Sequence, residues 1–217
     1  CPASAALTLV QSIPIGDFSV GLAPCALPTW EAVTGVAKGS TKSLDVAAMY
    51  IDLLGTADRR KFTPAQMKAF GADRGLELFD EMRNAAKRGV SMRLLLGTLQ
   101  DPLNSTEVRT LLSYPNVEAR QWDPTVWYKG GIMHMKLWLS DARPNATDAR
   151  PAAGIAAASR RALSSRQYAA TRQAYVGSSN PDWKSLTQVK EMGALLSGVR
   201  REEYTGGDVQ NLTLVEE

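Results

Sequence analysis

His134 is the single histidine of the 217-residue chain, and Lys136 follows it two positions later. Any histidine chemistry in this chain must run through that one imidazole. A catalytic triad or metal cluster that needs two histidines from one chain is excluded. The surrounding segment, Gly131-Ile132-Met133-His134-Met135-Lys136-Leu137-Trp138-Leu139-Ser140-Asp141, alternates in character and has glycines ahead of it, so it reads as a strand. Successive side chains of a strand point to opposite faces, which puts His134 and Lys136 on one face, roughly 6.6–6.8 Å apart along the chain. Met133, Met135, Leu137 and Leu139 then share the other face and are expected to anchor the strand in the core. Asp141 has the opposite parity, at or past the strand end, which suits a structural group or one that supports the site from behind.

A cation beside the histidine repels metal ions but favours an anion. Lysine donates to phosphate oxygens as a point charge, and histidine is able to act as a nucleophile that forms a covalent intermediate. The plain alternative is a partly buried histidine satisfied by hydrogen bonds, with a solvated lysine nearby. A second candidate is Gly177-Ser178-Ser179-Asn180, which follows the apolar Ala174-Tyr175-Val176. A strand leading into a glycine turn with small polar residues offers backbone N–H groups and side-chain donors to phosphate, although the same four residues also make an ordinary turn.

The elements that must hold these residues alternate along the chain. Leu7 to Val10 is a short strand. Thr29 to Lys38 reads as a helix stopped by Gly39, and Leu44 to Ile51 as a buried strand. Thr63-Pro64-Ala65-Gln66 combines a capping box with proline at the first helical position. The helix it starts places Met67, Phe70, Leu78, Phe79, Met82 and Ala86 at mostly three- and four-residue steps and ends in Lys87-Arg88-Gly89, with Gly71 and Gly75 loosening its first half. Val90 to Leu96 and Val117 to Gln121 read as strands, with a short helix near Glu107 to Leu112 between them. Strands alternating with helices argue a layered α/β fold, a mixed sheet flanked by helices.

Composition bounds the rest. Hydrophobic residues make up 44% and charged residues 22%, which is ordinary globular usage. The length fits one large domain, 1–217, and a sizeable core. Ala142 to Gln173 is set apart: its 32 residues hold 11 Ala, 6 Arg and one acid, Asp148, and it reads as an inserted surface loop, partly helical at Ala156 to Ala170. The insert carries +5, which leaves −2 for the remainder of a chain whose net charge is +3, so the basic balance belongs to the loop. No apolar run reaches the ~18 residues that suggest a membrane span, and the chain starts at Cys1 without a signal pattern, as expected of a piece of a longer protein. Two cysteines cannot build a disulfide-dense scaffold or a four-cysteine zinc site. Cys1 and Cys25 could pair. With sequons at Asn104, Asn145 and Asn211, this leans towards a secretory or lumenal compartment, against the alternative of two free thiols and chance triplets.

Together these residues resemble the phospholipase D superfamily, whose motif is H-x-K-x4-D followed by a G-S-x-N turn. His134, Lys136 and Asp141 have that spacing, and Gly177, Ser178 and Asn180 supply the turn. The stretch Asp182 to Gly193, the opening Leu9 to Pro14 and the strand Lys42 to Ala47 are similar to the endolysosomal branch, type II membrane proteins acting as acid 5′-exonucleases on single strands. The resemblance implies a phosphohistidine mechanism without metal or other cofactor. His134 would be the nucleophile or its acid/base counterpart. Lys136 and Asn180 would hold phosphate oxygens with help from Ser178, and Glu191 would orient a motif histidine. Asp141 enters the site set as the third motif residue. The expected function is phosphodiester hydrolysis on single-stranded nucleic acid from the 5′ end. Phospholipid cleavage or headgroup exchange is the alternative within the same chemistry, and a non-catalytic phosphate-binding fragment the alternative outside it. Trp122, Trp127, Tyr128 and Trp183 flank the motifs and could stack bases. The resemblance also implies an endolysosomal or secretory location, with the membrane anchor outside this chain.

The sequence departs from the family pattern in two ways. Thirty-five residues separate Asp141 from Gly177 where the family has a short connection. One histidine stands where the family site needs two, so the second H-x-K is expected from a missing C-terminal half or from a homodimer partner. A half-enzyme should expose an apolar face for that docking.

Overall fold

The computed structural model of the protein describes residues 6–16, 21–99, 101–126, 128–142 and 172–198. The chain runs β1 (Ala6–Ser12), β2 (Leu27–Pro28), α1 (Thr29–Gly39), β3 (Ser43–Ala48), α2 (Pro64–Ala69), α3 (Asp73–Lys87), β4 (Ser91–Leu96), α4 (Thr106–Leu112), β5 (Val117–Gln121), β6 (Leu137–Ser140), β7 (Gln173–Gly177), α5 (Trp183–Thr187) and β8 (Glu191–Ser197). The strands form one mixed sheet in the order β2-β1-β8-β7-β6-β3-β4-β5. β3, β4 and β5 are parallel, whereas β6, β7, β8 and β1 pair antiparallel in succession from β3. This is the α/β layered architecture that the alternation predicts.

Register explains which residues are inside. Leu94, Val46, Trp138, Tyr175 and Leu195 are mutual partners across five adjacent strands, and all five are buried. Against this row α1 packs Ala32, Val33, Val36 and Ala37, and α3 packs Leu78, Phe79, Met82 and Ala85. Opposite parity gives a second row, Leu95, Ala47, Leu137, Val176, Ala194 and Leu9, on the other face. That row is apolar too, yet Leu95, Val176 and Leu9 are 40%, 49% and 41% exposed, and Leu7 on the same face is 72% exposed.

Three sequence expectations need correction. The predicted 131–141 strand is β6 alone, Leu137–Ser140, with residues 131–136 leading into it outside any strand. The core residue of β6 is Trp138, on the parity of Lys136, whereas Met135 is 51% exposed and Leu137 and Leu139 are half-buried. The sheet buries its helix-covered face, and β6 presents the even positions to it. The single helix expected from Pro64 to Lys87 is two, α2 and α3. Gly71, at φ +79°, makes the left-handed turn between them, and a side chain at Gly75 would collide with the Leu53 carbonyl and the Trp183 side chain. The glycines thus shape the junction and seat α3. α5 and β8 had no counterpart in the periodicity. The insert apart from Ala142, Arg172 and Gln173, the Cys1 end of the suggested disulfide, Trp127, Asn145 and Asn211 lie outside the described residues.

Candidate active site

The His134 end of β6 lies where β3, β7 and β1 end and β8 begins. Ala47 pairs with Leu137, Leu137 with Val176, Gly177 with Gly193 and Ser12 with Glu191. The site is therefore at the carboxyl end of the parallel strand β3, at the point where pairing switches to antiparallel. Open α/β sheets bind ligands at such switch points.

Here the Lys136 side chain folds back. Its Nζ lies 2.9 Å from His134 Nδ1 and donates to the His134 carbonyl oxygen at 2.8 Å. Lys136 is buried, and that burial holds its ammonium below the usual lysine range, with the negative charge of Glu191 acting in the opposite direction. His134 is exposed. A desolvated cation thus sits against an accessible imidazole.

The turn after β7 is tied to this edge. The Gly177 N–H donates to the Lys136 carbonyl at 3.2 Å, and the Ser178 N–H to the Met192 carbonyl at 2.9 Å. Ser178 Oγ donates to Glu191 Oε2 and accepts from the Met192 N–H at 3.0 Å. Asn180 is buried, and its Oδ1 has no partner. Gly177 is required because the Tyr175 phenol fills the space its side chain would take, with the Met192 carbonyl only 2.8 Å from the same position. Gly177→Ala is expected to cost about 1–3 kcal/mol in urea unfolding by overpacking. Adding Tyr175→Phe, which removes the phenol oxygen, should recover part of that loss.

Two predicted residues are placed otherwise than the motif suggests. Asp141 is at the far end of β6 from His134. Its carboxylate accepts from the N–H groups of Thr41, Lys42 and Ser43, at 2.7–3.1 Å for Oδ1, and from the Thr41 hydroxyl at 2.9 Å. It clasps the start of β3, the structural place that its parity suggests. Trp183 is 3% exposed, packs with Met67 and Ala72 and donates to Asp58 at 3.2 Å, so it offers no stacking face. Trp122 and Tyr128 are 43% and 73% exposed. Glu191 meets Ser178, not His134.

The sequence reading missed Tyr50 and Asp182. Tyr50 follows β3, and its hydroxyl donates to Asp182 Oδ2 at 3.1 Å. Asp182 caps α5 through the Lys184 N–H at 3.1 Å. An aspartate just before Trp-Lys-Ser-Leu was readable as a cap; a lone tyrosine gave no such signal. A cleft of about 360 Å³ opens beside Tyr50, past Asp52, Arg60, Ser105 and Glu107. Among the described residues no group of three or more His, Cys, Asp or Glu side chains is disposed to hold a metal ion, and no helix is long and apolar enough to cross a membrane.

A family model described as "Cardiolipin synthase, PLD-like domain" matches residues 38–204. The chain belongs to the phospholipase D-like family. Among curated relatives of this family, the chain is 28% identical over 200 residues to the 5′-3′ exonuclease PLD3 of Xenopus laevis, covering 90% of this chain and 32% of that protein. It is 27% identical over 191 residues to Phospholipase D Y of Dictyostelium discoideum, covering 88% and 34%. It is also 27% identical over 192 residues to the virion nicking-joining enzyme of vaccinia virus, covering 88% and 34%. The chain thus spans about a third of the length of these relatives. Nuc of Salmonella typhimurium, a solved phospholipase D family member, matches with a TM-score of 0.49 at 10% identity, over 90% of this chain and 85% of that one.

Proposed function

We propose that this phospholipase D-like chain carries one half-site of a phosphodiesterase that hydrolyses single-stranded nucleic acid from the 5′ end through a phosphohistidine. The carrying observation is the exposed His134 imidazole with the buried Lys136 ammonium 2.9 Å from its Nδ1, beside the Gly177–Asn180 turn. An arriving phosphate takes donors from Lys136 and from the Asn180 amide. With the ammonium drawn onto phosphate, Nδ1 is free to carry the ring proton, and the other nitrogen has its lone pair for attack. A nitrogen–phosphorus bond forms as the phosphorus–oxygen bond to the leaving group breaks. The leaving oxygen takes a proton from a second histidine, which then deprotonates the water that cleaves the nitrogen–phosphorus bond. If His134 instead serves as the acid/base, the two imidazoles exchange roles.

The second histidine must come from another segment or another chain, because this one has a single histidine. Glu191, held by Ser178 and not by His134, is available to orient it. The apolar second face of the sheet, with Leu7, Leu9 and Val176 exposed, suits the docking of that partner half. Exposed Trp122 and Tyr128 favour a nucleic-acid strand, since bases stack on such rings. Exposed Val126, Ile132 and Met135 at the same end favour the second reading, a phospholipid. An endolysosomal or secretory lumen is the proposed location, and the exposed Asn104 sequon is consistent with it.

The deciding experiment assays the native assembly, its mass measured in parallel, on 5′-hydroxyl single-stranded DNA and on phosphatidylcholine vesicles across pH 5–7.5. Release of mononucleotides from the 5′ end supports the proposal, and choline release alone selects the second reading. Steady-state hydrolysis by a proven monomer of this chain alone would overturn the two-histidine mechanism.

A further inference from the structure

The half-site chemistry leaves the cleft beside Tyr50 unused. Its walls come from two segments: Tyr50, Asp52 and Arg60 from the chain after β3, and Ser105, Thr106 and Glu107 from the start of α4. The space is about 360 Å³, in the range of small-molecule sites. The two walls are locked together. Glu107 is 3% exposed, and its Oε1 accepts the Leu54 N–H at 2.9 Å. Arg59 Nε donates to the Leu54 carbonyl at 2.7 Å, and Gly55, at φ +60°, leaves room for the Trp183 indole. A cleft framed in this way is formed before any ligand arrives.

The cleft adjoins both parts of the half-site. The Asp52 N–H donates to the Pro181 carbonyl at 2.9 Å, and the Tyr50 hydroxyl donates to Asp182 Oδ2 at 3.1 Å. Two wall residues are thus bonded to the two residues that follow Asn180. On the other side, the Met49 and Met133 carbonyl oxygens lie 3.0 and 3.3 Å from where a Cβ at Gly97 would stand. The residue before Tyr50 and the residue before His134 therefore meet at one glycine.

The lining carries both signs. Asp52 and Glu107 bring carboxylate oxygens, which accept hydrogen bonds, whereas a guanidinium only donates. Arg59 is held by the Leu54 carbonyl and Lys61 lies 4.0 Å from Asp58, but the exposed Arg60 between them has no ion pair among the described residues. A simple cation would suit the two acids and be repelled by Arg60. An inorganic anion would suit Arg60 and be repelled by the acids. A nucleobase offers N–H donors and oxygen or ring-nitrogen acceptors together. In a strand with a free 5′-hydroxyl, the first nucleoside is joined to the first phosphate through its 3′-oxygen. With that phosphate between His134 and Asn180, the nucleoside is brought to the cleft.

We propose that the cleft binds the 5′-terminal nucleoside, with Arg60 donating to acceptors on the base and Asp52 accepting from its exocyclic amino group. This rests on the nucleic-acid reading of the half-site and names the part of the strand that is recognised. Cytosine carries an amino group that a carboxylate accepts. Thymine has one N–H, flanked by two carbonyl oxygens that repel a carboxylate. Terminal deoxycytidine is therefore favoured over terminal thymidine.

The test uses the purified native protein and calorimetry at pH 7.5, with four probes: inorganic phosphate, glycerol 3-phosphate, and the 3′-monophosphates of deoxycytidine and thymidine. The deoxycytidine nucleotide is expected to bind about tenfold more tightly than phosphate, the gain from one good charge-assisted contact, and about fivefold more tightly than the thymidine nucleotide. Glycerol 3-phosphate, an ester without a base, should bind like phosphate. Arg60→Ala should remove most of the advantage of the nucleotide over phosphate, with unchanged thermal unfolding. Asp52→Asn gives the base a donor as well as an acceptor, so it should narrow the gap between the two nucleotides, a ratio that a purely structural residue would leave alone. Nucleotides no tighter than phosphate overturn the inference while leaving the half-site reading intact. So does an equal gain by glycerol 3-phosphate, a wild-type advantage in Arg60→Ala, or a wild-type ratio in Asp52→Asn. Absence of binding by all four probes overturns both.

Discussion

His134→Ala is expected to reduce phosphodiester cleavage by the native assembly by a factor on the order of 10⁴ or more, the scale on which loss of a covalent nucleophile registers. Folding should be unaffected to within about 0.5 kcal/mol, because the side chain is exposed. Lys136 loses the ring as a partner but keeps the main-chain oxygen at position 134, so its ammonium is not stranded. The variant also separates the two roles open to His134. If it is the nucleophile, the loss persists with a p-nitrophenyl leaving group, and the acid-labile, alkali-stable phosphoramidate expected of wild type does not form. If it is the general acid, a leaving group that needs no proton restores much of the first step, and the phosphoramidate accumulates. Turnover at the wild-type rate would exclude His134 from the mechanism altogether.

What could be read in the sequence follows from how local each signal is. The capping box at Thr63 is a contact between residues three apart, and it is present, with Thr63 Oγ1 accepting from the Gln66 N–H. The α1, β4 and β5 segments carry their own periodicity and form where expected. The helix break at Gly71 was ambiguous because the apolar spacing continues through it; only the positive φ, with Ile15 and Thr187 packed close to the glycine, separates α2 from α3. The inner face of β6 is not legible in its own alternation. The odd positions of 133–139 are Met and Leu while the even ones carry His134 and Lys136, so alternation alone turns Trp138 outward. The choice is made by Val46 and Tyr175 in neighbouring strands 92 and 37 residues away. The site divides along the same line. His134, Lys136 and the Gly177 turn form a pattern of spacing. The Tyr50–Asp182 pair joins residues 132 positions apart, and nothing local marks it.

Asp141→Ala is expected to destabilise the fold by about 3–5 kcal/mol, since removing one partner of a buried charged network is among the few changes that reach this size. The carboxylate accepts from three consecutive backbone N–H groups and one hydroxyl, and the backbone at Asp141 sits at φ +51°, a left-handed conformation that aspartate tolerates better than alanine does. Loss of the side chain strands the donors of Thr41, Lys42 and Ser43 at the point where β3 enters the sheet between β4 and β6. The effect should appear as a lower urea midpoint with an unchanged slope, and as reduced soluble yield. Activity per folded molecule is the discriminating quantity. It should stay within a few-fold of wild type, because the carboxylate is separated from His134 by the whole of β6. A variant that folds as stably as wild type but has lost turnover would return Asp141 to the chemistry. Asp141→Asn refines the point: it keeps an oxygen acceptor and the tolerance for positive φ but loses the charge, so it should fall between wild type and Asp141→Ala in stability. The H-x-K-x4-D residues thus lie at opposite ends of β6, His134 and Lys136 at the end proposed for the chemistry and Asp141 where the chain closes on β3.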